Sequence, residues 1–371
     1  MGSMSLQEKL RQGITYLDGG TGTMLQRGMK PGELPERWTL EHPEEIIAIH
    51  QAYYEAGSHI VSACTFGAHR FHYAKDELVT VIRAAVDCVK KARERSRGGR
   101  EEKYIAMDVG PTGKLLEPYG PLAFEEAVEA YTEAIRIGAG CGVDCILIET
   151  MNDSYETKAA LLAAKETTDL PVLVSNAYGA DGKLMTGAGP EAMVALLEGM
   201  GADAIGVNCS LGPAQLTGIV QRYLEAASVP VLMMPNAGLP REENGKTVYD
   251  VGAEEFARTV AELVPQGLRM IGGCCGTTPE YIRALAKATE GLEPLEIRAR
   301  EETVISSGIR AETLGRTPKL IGERINPTGK KKLREALAAE NMPYLLNEGM
   351  KQQEAGAQIL DVNVGAPGIN E

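Results

Sequence analysis

Three cysteines in two short motifs are the residues of this sequence best suited to chemistry. Cys274 and Cys275 stand side by side in Met270-Ile271-Gly272-Gly273-Cys274-Cys275-Gly276, and Cys209 closes the apolar run Gly206-Val207-Asn208-Cys209. Neighbouring side chains of a strand point to opposite faces. Two adjacent sulfurs therefore reach one metal ion only where the pleat is broken, and Gly272, Gly273 and Gly276 permit that break. Three thiolates suit zinc, and a set of three leaves the fourth tetrahedral position for water or substrate. The alternatives are a vicinal disulfide, which is strained, or two buried thiols. A zinc ion held by three thiolates is a poor Lewis acid for hydrolysis, but it lowers the pKa of a substrate thiol and keeps the sulfur nucleophilic. The reaction class this favours is alkyl transfer to sulfur. Asn236 offers a side-chain oxygen as a resting fourth ligand.

An amino-acid substrate also needs partners for its ammonium and carboxylate groups. Asp18 and Glu149, each closing an apolar run, are candidates for the ammonium. Gly19-Gly20-Thr21-Gly22-Thr23 follows Asp18 directly, and its backbone N–H groups form a candidate cradle for the carboxylate. The stretch has neither the spacing of a dinucleotide fingerprint nor a Walker lysine. The five histidines, His42, His50, His59, His69 and His72, show no metal-binding spacing with the cysteines. Their default reading is packing, with His69 and His72 placed to line the mouth of a site.

The elements that must position these residues alternate regularly. Candidate strands are Ile14–Asp18, His59–Thr65, Tyr104–Val109, Asp144–Glu149, Pro171–Asn176, Ala204–Cys209, Val229–Pro235 and Met270–Cys274, with amphipathic helical patterns between them. Eight βα units in series predict an α/β fold, a (β/α)8 TIM barrel, whose usual ~250 residues match the span 13–290. Barrel sites lie at the carboxyl ends of the strands. The residues closing the runs are Asp18, Thr65, Asp108, Glu149, Asn176, Cys209, Asn236 and the Cys274–Cys275 pair, all polar or metal-binding. Residues 1–12 read as an N-terminal tail and 291–317, with Pro294 and Ser306-Ser307-Gly308, as a linker. A new βαβ pattern begins at 318 and runs to 371, the opening of a second, incomplete barrel.

Composition narrows the function classes. The chain has 371 residues, 44% hydrophobic and 24% charged, with 51 acidic against 38 basic side chains and a formal net charge of −13. That balance disfavours a nucleic-acid backbone binder. No 18-residue apolar run marks a membrane span. Seven cysteines, an odd number, agree with free thiols in the cytoplasm.

The motifs Asp18-Gly19-Gly20-Thr21-Gly22-Thr23-Met24, Gly206-Val207-Asn208-Cys209-Ser210, Pro235-Asn236-Ala237-Gly238 and Gly272-Gly273-Cys274-Cys275-Gly276-Thr277-Thr278-Pro279 resemble the homocysteine S-methyltransferase family. Ile321-Gly322-Glu323-Arg324-Ile325-Asn326-Pro327 and Gln358-Ile359-Leu360-Asp361-Val362-Asn363 look like the start of the methyltetrahydrofolate-binding barrel of cobalamin-dependent methionine synthases. The resemblance implies a zinc barrel that activates homocysteine for attack on methylcobalamin, yielding methionine. It assigns Cys209, Cys274 and Cys275 to the metal and Asp18 and Glu149 to the homocysteine amino group; Gly19, Gly20, Thr21, Thr65 and Asn236 are the further candidates for the substrate site. Glu323, Asn326, Asp361 and Asn363 fall on folate-site positions, meaningful only if the second barrel were complete. The second strand departs from the family pattern, reading Ser62-Ala63-Cys64-Thr65-Phe66 where many relatives have Thr-Asn-Thr-Phe. No Asp-x-His-x-x-Gly cobalamin motif occurs, so methylcobalamin would arrive on another domain or a corrinoid protein. A stand-alone enzyme using S-methylmethionine or betaine is the alternative.

Overall fold

A computed structural model describes residues 5–25, 28–29, 32–97, 102–243, 246–299 and 301–369. The chain divides into two compact units, residues 1–300 with 307–310, and 301–306 with 311–371.

The first unit is a parallel eight-stranded barrel. Its strands are β1 (Thr15–Tyr16), β2 (Ile60–Ser62), β3 (Tyr104–Val109), β4 (Cys145–Met151), β5 (Val172–Asn176), β6 (Ala204–Asn208), β7 (Val231–Met234) and β8 (Leu268–Ile271). They pair in the order β1-β8-β7-β6-β5-β4-β3-β2. The predicted eight-strand α/β barrel is thus the observed fold, although β1 and β2 are shorter than the sequence pattern. Between those two strands side chains complete the seam. His59 donates its N–H to the Tyr16 carbonyl at 2.7 Å, and its Nδ1 accepts the Tyr16 N–H at 3.1 Å. One turn higher, Asp18 Oδ2 accepts the Ser62 N–H at 2.8 Å. His59 is therefore a structural residue of the barrel wall.

The helices between strands follow local signals. Pro43, Pro190, Pro213 and Pro279 open their helices in the first turn, where a missing N–H costs nothing. Asp153 caps the helix Ser154–Thr167 by accepting the Tyr155 N–H. Their apolar faces and the outward residues of the strands form one continuous buried layer.

Period-two alternation sorts the other strand residues inward. Ile60, Ala106, Cys145, Leu147, Leu173, Ala204, Leu232 and Met270 fill the barrel interior together with Leu6 and Leu10. Those two leucines belong to a helix, Leu6–Arg11, closed by a Ser5–Glu8 capping box. The segment read as a tail therefore carries a helix whose apolar side belongs to the interior cluster of the barrel. The next inward positions along the strands are Ser62, Asp108, Glu149 and Ser175, and past Gly206 comes Asn208, a polar layer resting on an apolar one.

The second unit contains an antiparallel pair, β9 (Val304–Ser306) with β10 (Ala311–Thr313), and a parallel pair, β11 (Ile321–Ile325) with β12 (Ile359–Val362). Helices Lys331–Ala338 and Met342–Glu354 connect the latter two strands. Residues 304–306 and 311–313 thus form a hairpin inside the segment read as a linker. Ile325, Leu333 and Leu337 are buried, whereas Ile321, Leu360 and Val362 are exposed, so the unit covers only part of its apolar surface.

Candidate active site and metal centre

The carboxyl ends of the barrel strands surround a cavity of about 390 Å³. At one side of it the sulfurs of Cys209, Cys274 and Cys275 lie within 4.8 Å of one another. The Cys209 and Cys275 sulfurs are 3.9 Å apart. Two ligands of a tetrahedral zinc with Zn–S bonds near ~2.3 Å would stand roughly 3.8 Å apart, so the triangle fits that ion. The apolar run before Cys274 ends as a strand at Ile271, and both cysteines lie on the loop that follows. Cys274 donates its N–H to the Pro235 carbonyl at 2.8 Å, and Cys275 donates to Asn236 Oδ1 at 3.1 Å. Gly273 and Gly276 are required by space: a Cβ on them would come within 2.3 Å of Thr277 Oγ1 and 2.4 Å of the Tyr249 ring, and Gly276 has φ +82°. Cys209 itself has φ 59° and Ser210 φ 60°, a left-handed turn that non-glycine residues adopt at a cost of ~1 kcal/mol or more.

The thiols do not carry charge equally. Hydrogen bonds from Cys209 and Cys274, with a further one from Tyr249, hold Cys275 down to about 3. The bonds Cys274 makes to Cys209 and Cys275, together with burial, push that thiol up. Metal binding at such a set releases protons. Tyr249 is a contributor that sequence reasoning missed, and no local pattern marks it.

The facing side of the cavity is acidic. Burial raises Glu149 to about 8, helped by the charges of Asp18 and Cys275. Burial likewise raises Asp18 to about 7, against the opposing hydrogen bonds from Ser62. Asp108 lines the same cavity and is pushed well above the usual carboxylate range by burial and by Glu149 and Asp18. No Lys or Arg lies among the described lining residues. Four carboxyl side chains and four thiols line the cavity; Glu36 is spent on the Gly67 N–H and the Tyr73 hydroxyl, which leaves Asp18, Asp108 and Glu149 to meet a cationic group.

Asn208 joins the two sides. Its Nδ2 reaches Thr150 Oγ1 at 2.7 Å, Glu149 Oε2 at 3.4 Å and Cys274 Sγ at 3.9 Å, while its Oδ1 accepts from the Thr150 N–H and Ser175 Oγ. Sequence reasoning stopped at the last residue of each run and so passed over Asn208. Counting in twos from Ala204 would have found it.

Other candidates sit elsewhere than expected. Thr65 is buried with its hydroxyl spent on the next strand, donating to the Asp108 carbonyl at 2.8 Å and accepting its N–H at 3.1 Å. Asn236 uses its oxygen on the Cys275 N–H, which places it as a support for the cysteine loop rather than a ligand. Asn176 turns outward to the Met151 carbonyl and Thr157. Gly19, Gly20 and Thr21 do line the cavity. However, Gly20 N–H donates to Thr277 Oγ1 and Thr21 N–H to the Gly19 carbonyl, so those two amides fix the loop. His72 and Cys64 reach the cavity wall, and Cys64 stays outside the sulfur triangle. In the second unit Glu323, Asp361 and Asn363 are exposed near the carboxyl ends of β11 and β12, and Asn326 Nδ2 donates to Glu323 Oε1 at 2.7 Å.

Comparison with known proteins places this barrel. The sequence model described as homocysteine S-methyltransferase matches residues 15–289, the strands and loops that carry the sulfur triangle and the acids. The chain belongs to the homocysteine S-methyltransferase family. The match covers all eight strands of the barrel. Methionine synthase of Mycobacterium leprae is 31% identical over 98% of this chain and 32% of its own length. That of Mycobacterium tuberculosis is 31% identical over 97% and 32%. The chain thus spans about a third of the length of these curated relatives. In fold it is similar to the homocysteine methyltransferase MmuM of Escherichia coli. The metallated form covers 75% of this chain and 96% of its own, with TM-score 0.62 and 23% identity. The oxidised form covers 74% and 95%, with TM-score 0.61 and 23% identity.

Proposed function

We propose that this chain methylates the sulfur of homocysteine to give methionine, with zinc at Cys209, Cys274 and Cys275 and methylcobalamin supplied by another domain or a corrinoid protein. The carrying observation is the sulfur triangle facing buried carboxyls across one cavity. When bound, zinc supplies a positive centre that keeps a substrate thiol ionised at neutral pH. The chain's own residues do the rest. Asp18 and Glu149 receive the ammonium group, whose charge favours their ionised forms despite burial. That contact orients the amino acid so that its sulfur points to the cysteine side. Asn208 and Asn236 hold the Glu149 side chain and the Cys275 amide in place. The walls exclude bulk water and so strengthen each of these contacts.

The similarity to methionine synthases runs through residues beyond 289, where the family match ends, and this favours methylcobalamin over a small donor. A stand-alone enzyme using S-methylmethionine or betaine is the second reading, favoured by a pocket made wholly within the barrel. Glu323, Asn326, Asp361 and Asn363 would take methyltetrahydrofolate only within a complete second barrel. Free thiols fit a reducing cytoplasm; among the described residues no helix is long and apolar enough to cross a membrane.

The test is methionine formation by the zinc-loaded protein from homocysteine, with free methylcobalamin, S-methylmethionine and betaine as parallel donors. Turnover with methylcobalamin alone is expected. Turnover with a sulfonium or ammonium donor alone establishes the second reading.

A further inference from the structure

We propose that Asp108 is a third carboxyl arm of the substrate pocket, held against the substrate's ammonium group by one internal water between its Oδ1 and His69. The inference rests on homocysteine being the substrate.

Asp108 is placed by alternation. It follows the interior residue Ala106 by two positions on β3 and pairs with Leu147, two positions before Glu149 on β4. Its carboxyl therefore enters the same polar layer as Glu149 and Asp18. Thr65 grips its backbone from both sides, at 2.8 Å to the carbonyl and 3.1 Å from the N–H. The main chain is thereby fixed, and although the carboxyl takes a hydrogen bond from the Val109 backbone, its Oδ1 still needs a partner.

Asp108 Oδ1 is buried without any hydrogen-bond partner. A buried acceptor left in that state costs about 1–3 kcal/mol. Behind it lies a second cavity of about 10 Å³, walled by Asp108, His69, Thr65, Phe66, Met107 and Tyr131. That is close to the room one water occupies. His69 is 2% exposed, and both of its ring nitrogens also lack partners. Asp108 and His69, each with orphaned polar atoms, thus both wall one water-sized space. Burial lowers His69 to about 4, so the ring is neutral and always presents an N–H. That N–H donates to the water, and the water donates to Asp108 Oδ1. In this arrangement the other oxygen is left for the cavity that holds the substrate, which the half-buried Asp108 also lines. An ammonium has three N–H donors, and Asp18, Glu149 and Asp108 give one carboxyl for each.

The test compares homocysteine with 4-sulfanylbutanoate, which lacks only the amino group, in binding to and turnover by the zinc-loaded protein. Asp108→Asn should weaken homocysteine binding and raise its KM by about 10- to 100-fold. The analogue's KM, kcat and the zinc content should change little. His69→Phe, which fills the rear cavity, should shift the same ratio in the same direction by a smaller factor. A crystal structure of the wild type should show one water within hydrogen-bond distance of Asp108 Oδ1 and His69. Equal effects of Asp108→Asn on both thiols, or none, would overturn the assignment, as would a dry cavity for the water. Failure of the wild type to bind homocysteine at all would instead remove the functional reading beneath it.

Discussion

The sulfur side of the pocket stands on loops, whereas the carboxyl side stands largely on strands. Cys274 and Cys275 follow β8 by three and four residues, and Cys209 sits one residue past β6 in a left-handed turn. Asp108 and Glu149 lie within β3 and β4, aimed by the pleat itself. Loops can bend two adjacent side chains toward one point, which three sulfurs around one ion demand. Strands cannot do that, but they fix single groups without any special sequence. The loop side accordingly needs added supports, the Asn236 oxygen and the glycines packed against Thr277 and Tyr249.

The largest expected contrast separates metal from substrate. Cys275→Ala should abolish both bound zinc and methionine formation, measured by metal analysis and product assay. Glu149→Gln should keep the zinc and raise the KM for homocysteine by about 10- to 100-fold. Zinc loss in the glutamine variant would show that the two sides are not separable.

Asn208→Ala removes the residue that ties them together. It strands the Thr150 N–H and Ser175 hydroxyl, so it should lower stability by about 1–3 kcal/mol in urea unfolding and reduce turnover. Unchanged stability would mean that water replaces the amide without loss.

A smaller effect appears in pH. Asp18 and Glu149 titrate higher folded, about 7 and about 8, than unfolded. Below pH ~4 both states hold these protons and no penalty exists. As pH rises the unfolded chain ionises first, so the stability associated with these groups is lost until the folded pKa values are passed. The metal-free protein should therefore have a lower Tm at pH 8 than at pH 5. Asp18→Asn and Glu149→Gln should each flatten that decline, while the cysteine side leaves this particular slope in place.

Much of the barrel is legible in the chain because local rules write it. Helices Pro43–Ala56, Ser154–Thr167 and Pro279–Ala288 follow amphipathic periodicity and start at local signals, a first-turn proline in the outer two and the Asp153 cap in the middle one. Residues 319–364 likewise yield their strands and helices, since those also depend on neighbours in sequence. Sequence reading is weakest at β1 and β2. There the seam depends on His59 and Asp18 side chains bridging strands 43 and 44 residues apart in the chain.

The sequence by itself determined the eightfold alternation, the polar strand ends and the sulfur set, because adjacent cysteines among glycines announce their purpose over a few residues. Tertiary structure decided which polar residues face inward. Thr65 and Asn236 end apolar runs yet spend their oxygens on neighbouring loops and strands. Asp108, which also closes such a run, lines the cavity, and Asn208, one residue short of an end, lies buried behind it against Glu149 and Cys274. The physical reason is the pleat: a shift of one residue reverses the side a side chain points to, and only the pairing of whole strands sets that register. The same holds for Leu6 and Leu10, whose place in the barrel interior no local pattern could announce.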